Sequence, residues 1–265
     1  MTGAAGVVGT ALRHELRQRG YALRLLDIRE PAMLDGEEFI RGSIADAAVV
    51  AEAVSGVNGV VHLAGCTTDA SMPEQIEGNI VGATNVFEAA RLSGVERVVF
   101  ASSHHVVGYY PRRRRIGTNV LLRPDSRYGL TKAFGEQLGA LYADKYGLRC
   151  LAIRIGFANN RPADRRRLAV WISWRDLAQL VEIGLRHEQL RYAVVYGVSD
   201  NERSFFDNST AFDLGYAPQD NAEAFAAEIL AGVPAEDPDA VGSHVIGGHF
   251  ANGEYDGSVS RVYEW

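Results

Sequence analysis

The chain has 265 residues, 47% hydrophobic and 23% charged, enough for one large domain or a domain with a small appendage. A formal net charge of -6 excludes the basic footprint of a nucleic-acid-binding protein, and no apolar run is long enough to span a bilayer. Two cysteines, Cys66 and Cys150, make no disulfide framework, and no signal-peptide pattern is visible, so a soluble cytoplasmic protein is the default expectation.

Residues 2–9 read Thr2-Gly3-Ala4-Ala5-Gly6-Val7-Val8-Gly9, a glycine-rich turn opening a helical pattern over 7–19. Gly3 permits the tight turn, Gly6 lets backbone approach a pyrophosphate, and Gly9 lets the helix pack closely on a sheet. The next strand pattern, 22–27, ends in Asp27, at the distance where a carboxylate meets the adenosine ribose. Such a carboxylate accepts from both ribose hydroxyls and repels a 2′-phosphate, so NAD is expected rather than NADP. Arg29, two residues on, is the one feature that would suit the phosphate.

Further strands are predicted over 38–44, 59–64, 97–103, 149–156 and 193–199, alternating with helices over 46–55, 73–93, 126–146 and 173–186. Asp46 is a candidate N-cap, and Gly94 and Gly147 stand where helices would close. Val60-Val61 and Val98-Val99-Phe100 are continuously apolar, as strands covered on both faces are. Strand 97–103 ends in Ser102-Ser103, at the sheet edge where such folds bind ligands. His104 and His105 would point to opposite faces if extended, and no metal-ligand spacing occurs, so no metal is expected. The run Arg112-Arg113-Arg114-Arg115 reads as a solvated loop rather than an anion site. Tyr128 and Lys132 lie four apart on one helix face. The ammonium would lower the phenol pKa from about 10, making Tyr128 a base while hydride leaves the same substrate carbon. A serine hydroxyl from Ser103 could hold the reacting oxygen.

Beyond residue 157 the alternation loosens into loops rich in Asn, Arg and Asp. The expected architecture is therefore α/β, a doubly wound parallel sheet of Rossmann type. Residues 1–156 form the dinucleotide-binding core, and 157–265 supply remaining core elements plus a small substrate-covering portion of the same unit.

These residues resemble the extended short-chain dehydrogenase/reductases, also described as the NAD-dependent epimerase/dehydratase family. The shared features are the glycine loop, Asp27, His62-Leu63-Ala64-Gly65, Asn79, the Ser103/Tyr128/Lys132 set and Arg154-Ile155-Gly156. Within that family the chain is most similar to bacterial uronate dehydrogenases. That likeness rests on residues 100–105 through Gly108-Tyr109-Tyr110-Pro111, Arg123-Pro124-Asp125, Asp207-Asn208-Ser209 and residues 218–223. The resemblance implies oxidation of the anomeric hydroxyl of a hexuronic acid to an aldarolactone with NAD. It implies cofactor contacts at Gly3, Gly6, Val7, Val8, Gly9, Asp27, Ser43, Ile44, Leu63, Ala64, Gly65, Tyr128 and Lys132. It implies substrate contacts at Thr67, Ser103, His104, His105, Tyr128 and Phe157, with Arg166 clamping the carboxylate.

Three positions depart from the family. His104 replaces an asparagine, Phe157 a serine, and Ser43 an aspartate lining the adenine pocket. Met1 stands where the family has the valine ending its first strand. A valine codon can also start translation, so an apolar strand encoded upstream is expected. The family pairs through helices equivalent to 73–93 and 126–146, which makes a homo-oligomer an expectation, although the outward faces of these stretches look featureless. A nucleotide-sugar epimerase or dehydratase is the second enzymatic reading; it usually needs a larger lid. A dinucleotide-binding sensor without turnover is the reading from another class, and it need not retain Ser103, Tyr128 and Lys132.

Overall fold

The computed structural model describes residues 1–265 apart from 68, 69, 233 and 265. Among the described residues the strands are β1 Arg24–Asp27, β2 Glu38–Arg41, β3 Val60–His62, β4 Arg97–Ser103, β5 Arg149–Ile155, β6 Phe157–Ala158, β7 Trp171–Ile172 and β8 Tyr192–Gly197. The α-helices are α1 Val7–Gln18, α2 Ala47–Val54, α3 Met72–Gln75, α4 Gly82–Leu92, α5 Arg127–Tyr146, α6 Arg167–Val170, α7 Trp174–Arg186, α8 Ser209–Asp213 and α9 Ala226–Gly232.

Strands β3, β4, β5 and β8 pair in parallel in that order, and β1 pairs in parallel with β2. Thr2 joins the two sheets, bridging Leu26 on one side and His62 on the other. Its N–H donates to the Val61 carbonyl at 3.0 Å, and the Leu26 N–H donates to the Met1 carbonyl at 2.8 Å. Met1 and Thr2 thus hold the central position of the sheet. Behind them a groove of about 550 Å³ opens between β1 and β3, lined in part by Leu23, Val57 and Val60.

Strand β4 shows why residues 98–100 are apolar without a break. Val98 and Phe100 join the core formed with Val50, Val86, Phe87 and Leu138, while Val99 joins Leu12, Leu16, Leu177 and Leu180 on the other face. Alternate side chains enter opposite layers, so both must be hydrophobic. The result is the doubly wound parallel fold expected from the pattern, with strand β8 from beyond residue 157 completing the same sheet.

Helix starts follow side-chain capping. The Asp46 carboxylate accepts from the Ala48 and Val49 N–H groups at 2.9 and 3.3 Å, and Ser126 and Ser173 cap α5 and α7 likewise. The predicted helix over 73–93 is instead broken. Six π-helical residues, Ile76–Val81, separate α3 from α4. The wider turn brings Asn79 inward, 4% exposed, where it bonds the Cys66 backbone and Thr131.

Other expectations need correction. The Arg112–115 run is not merely solvated: Arg112 bonds the carbonyls of Gly242 and Val245 and pairs with Glu236, and Arg115 bonds the Phe206 carbonyl. The outward side of α5 is not featureless either, since Leu130, Phe134 and Leu141 are exposed along it. Among the described residues no helix is long and apolar enough to cross a membrane, and no three His, Cys, Asp or Glu side chains gather as a metal site would require.

Candidate active site

At the C-terminal edge of the sheet a cleft of about 470 Å³ runs from the glycine loop past β4 and β5 to the start of α6. Gly3, with φ +70°, brings the loop against β3; a Cβ there would stand 2.6 Å from the Ala64 nitrogen. A side chain at Gly9 would collide with the Gly3 carbonyl. The N-terminus of α1 at Gly6 has no side-chain cap, in contrast to α2, α5 and α7, so its N–H groups remain available to an anion. Asp27 closes β1 beside this loop, its carboxylate accepting from the Ala5 N–H at 2.9 Å and the Arg29 N–H at 3.0 Å.

Gly3, Gly6, Val7, Val8, Gly9, Leu63, Gly65 and Thr67 line the cleft, together with Ser103, His104, His105, Tyr128, Lys132, Phe157 and Arg166. The structure does not bring Ser43, Ile44 or Ala64 to that lining. The Ser43 hydroxyl turns back to accept from the Ala45 N–H, Ile44 is buried in the core against Gly82, and the Ala64 N–H is held by the Thr2 hydroxyl. Asp27 also stands outside that lining, beside the glycine loop.

Ser103 ends β4, and its hydroxyl accepts from the His105 N–H at 3.2 Å, turning the chain into a short 3-10 helix, His104–Val107. That turn puts the two imidazoles side by side, centroids 4.2 Å apart, rather than on opposite faces. Each has a different holder. His105 Nδ1 and Asp125 Oδ2 are 2.6 Å apart and both residues are buried. The Asp125 carboxylate sits between Gly108 and Gly247, where any side chain would collide with it. His104 instead lies between the Ile155 carbonyl and Arg166.

Tyr128 and Lys132 occupy successive turns of α5, with the Lys132 Nζ 5.8 Å from the phenol ring centre. The expected depression of the phenol does not emerge. Burial pushes Tyr128 up to about 12, against a hydrogen bond with Ser103 that pulls it down, and burial lowers Lys132 to about 8. Both charged forms are disfavoured away from water, and burial is the largest cause for each.

The three consecutive arginines have different partners, and Arg166 and Arg167 both line the cleft. Arg165 is exposed, and Arg167 pairs with Asp164 and stacks on Phe157 at 4.6 Å. Arg166 is buried, 6% exposed, with Nη1 donating to the Ile246 carbonyl at 2.9 Å and to His104 Nε2 at 3.2 Å. Among the described residues no carboxylate pairs with it.

Residues 1–160 match the model of the NAD dependent epimerase/dehydratase family. The chain belongs to that family. It is similar to the uronate dehydrogenase of Pseudomonas syringae pv. tomato, with 41% identity over 259 residues, 95% of this chain and 94% of the relative. Among solved structures it resembles a glucuronic acid dehydrogenase from Chromohalobacter salexigens, with a TM-score of 0.92, 40% identity, and coverage of 98% of this chain and 97% of that one. It also resembles a mutant uronate dehydrogenase from Agrobacterium tumefaciens complexed with NAD, with a TM-score of 0.91, 39% identity, and coverage of 97% and 96%. NAD is the cofactor for which the family is named, and the uncapped α1, the close-packed glycines and the carboxylate at Asp27 fit it.

Sequence reasoning missed the residues that arrive from the far C-terminus. Phe250 lines the cleft and meets the His105 ring edge-on at 4.5 Å, and Ile246 and Gly248 pack against Arg166. No local pattern marks them. Asp125 is legible as part of Arg123-Pro124-Asp125 and His105 as a site residue, but their pairing is not. Asp125→Asn should remove the charge that orients His105 and lower kcat/KM by about 10- to 100-fold, the worth of one charge-assisted hydrogen bond. Steady-state kinetics beside a melting curve would check this; unchanged kinetics would mean that His105 needs no orienting.

Proposed function

We propose that the chain is an NAD-dependent dehydrogenase that oxidises the anomeric hydroxyl of a hexuronic acid such as D-galacturonate or D-glucuronate to an aldarolactone. The observation carrying this reading is Arg166: a buried guanidinium at the cleft, without a carboxylate partner among the described residues. An uncompensated buried charge is costly, and a ligand carboxylate would compensate it through matched N–H groups. The uronate dehydrogenases to which the chain is similar support the same substrate class.

When bound, NAD supplies the ring that accepts the hydride. The chain's own residues do the rest. Ser103 holds the substrate oxygen, and Tyr128 takes the hydroxyl proton as the C–H bond breaks and the carbonyl of the lactone forms. Lys132, its Nζ 5.8 Å from the Tyr128 ring centre, is the nearby positive charge that would favour the phenolate against the burial that opposes it. Thr67, His105 and Phe157 shape the sugar side of the cleft. The glycine loop, the open N-terminus of α1 and Asp27 hold the dinucleotide.

Absorbance at the NADH band, followed with purified protein, NAD and either uronate or the matching neutral sugar, tests the whole reading. Turnover is expected with the uronate and far less with the neutral sugar. NAD binding without turnover on any sugar would instead favour a sensor.

A further inference from the structure

We infer that His104 is a positioning residue for Arg166, working as a hydrogen-bond acceptor behind the guanidinium rather than as a contact to the sugar. The inference rests on the reading of Arg166 as the carboxylate-binding group. His104 is 3% exposed, and both ring nitrogens are occupied by protein atoms. Nδ1 lies 3.0 Å from the Ile155 carbonyl oxygen, which can only accept, so Nδ1 carries the hydrogen. Nε2 lies 3.2 Å from Arg166 Nη1, which can only donate, so Nε2 is bare. The two partners specify one and the same neutral tautomer. Nothing of the ring is left to bond a substrate hydroxyl.

The surroundings agree. Burial, the second imidazole of His105 and the guanidinium groups of Arg166 and Arg167 hold His104 well below its ordinary range, so the imidazole is neutral. Arg166 has few other fixed points. Nη1 also donates to the Ile246 carbonyl, and the Gly248 backbone packs so closely against Nε that a side chain there would collide. With both Nη1 hydrogens directed to protein oxygen and nitrogen, Nη2 and Nε are the donors left to meet an anion. The imidazole thus sets the angle of the clamp. Its removal would leave Arg166 with one acceptor and an unfilled space where the ring stood.

The test compares wild-type protein with His104→Ala and His104→Gln, with D-galacturonate and D-galactose as substrates. His104→Leu, closer in bulk, stands in if the alanine variant does not fold. Losing a hydrogen bond to a charged group should raise the KM for galacturonate by about 10- to 100-fold while kcat and the KM for galactose stay within about threefold. The glutamine oxygen can accept from Arg166 at similar reach, so His104→Gln should restore most of the galacturonate KM. An unchanged KM in the alanine or leucine variant, an equal rise for both sugars, or a glutamine variant no better than alanine would overturn the positioning role. Failure of the wild-type protein to oxidise any uronate would instead overturn the reading beneath it.

Discussion

Replacing Tyr128 with phenylalanine should lower kcat for the uronate by about 10²- to 10⁴-fold, the usual contribution of a positioned general base. The substitution removes one hydroxyl and keeps the ring, so the contact with His105, whose centroid is 6.0 Å from that of Tyr128, survives. NAD affinity should stay within about threefold, because the glycine loop, the α1 terminus and Lys132 are untouched. Single-turnover kinetics and calorimetric titration with NAD separate the two effects. A base whose pKa lies above the assay pH is mostly protonated, so its active fraction grows as pH rises. Burial pushes Tyr128 up to about 12, and the wild-type rate should therefore climb with pH through the neutral range. Full activity in the phenylalanine variant would remove Tyr128 from the chemistry.

The second large effect belongs to Arg166. Arg166→Ala should lower kcat/KM for D-galacturonate by about 10²-fold or more, since truncating one partner of a buried charge pair costs about 2–5 kcal/mol. For D-galactose, which has no carboxylate, the change should be within about threefold. Arg166→Lys should recover little, because a point ammonium cannot keep His104 and the Ile246 carbonyl satisfied while meeting a carboxylate. Kinetics on both sugars decide this. An equal loss on both would make Arg166 a structural arginine and end the clamp assignment.

Much of the framework was legible because its causes are local. The apolar run 98–100 required a strand covered on both faces, and β4 is found at the expected bounds. Asp46 and Gly147 mark a helix start and a helix end by capping geometry that involves only near neighbours. Asn79 shows where this stops. Periodicity gave one helix over 73–93, but the π-helical segment that turns Asn79 inward answers to Cys66 and Thr131, which the helical pattern does not contain. The two histidines show it again: a strand would have parted them, and the Ser103 turn stacks them together.

From its sequence alone, the chain determined that it would build a doubly wound parallel sheet with a glycine loop, a carboxylate after β1, and a serine, tyrosine and lysine near one sheet edge. Those are statements about neighbours along the chain, where hydrophobic period and turn chemistry act directly. Only the tertiary structure decided that Arg166 and Arg167 line the cleft while Arg165 is exposed, that His104 faces Arg166 and His105 faces Asp125, and that Ile246, Gly248 and Phe250 return to enclose them. These contacts join residues far apart in the chain. They depend on where the whole backbone path returns, which no local pattern records.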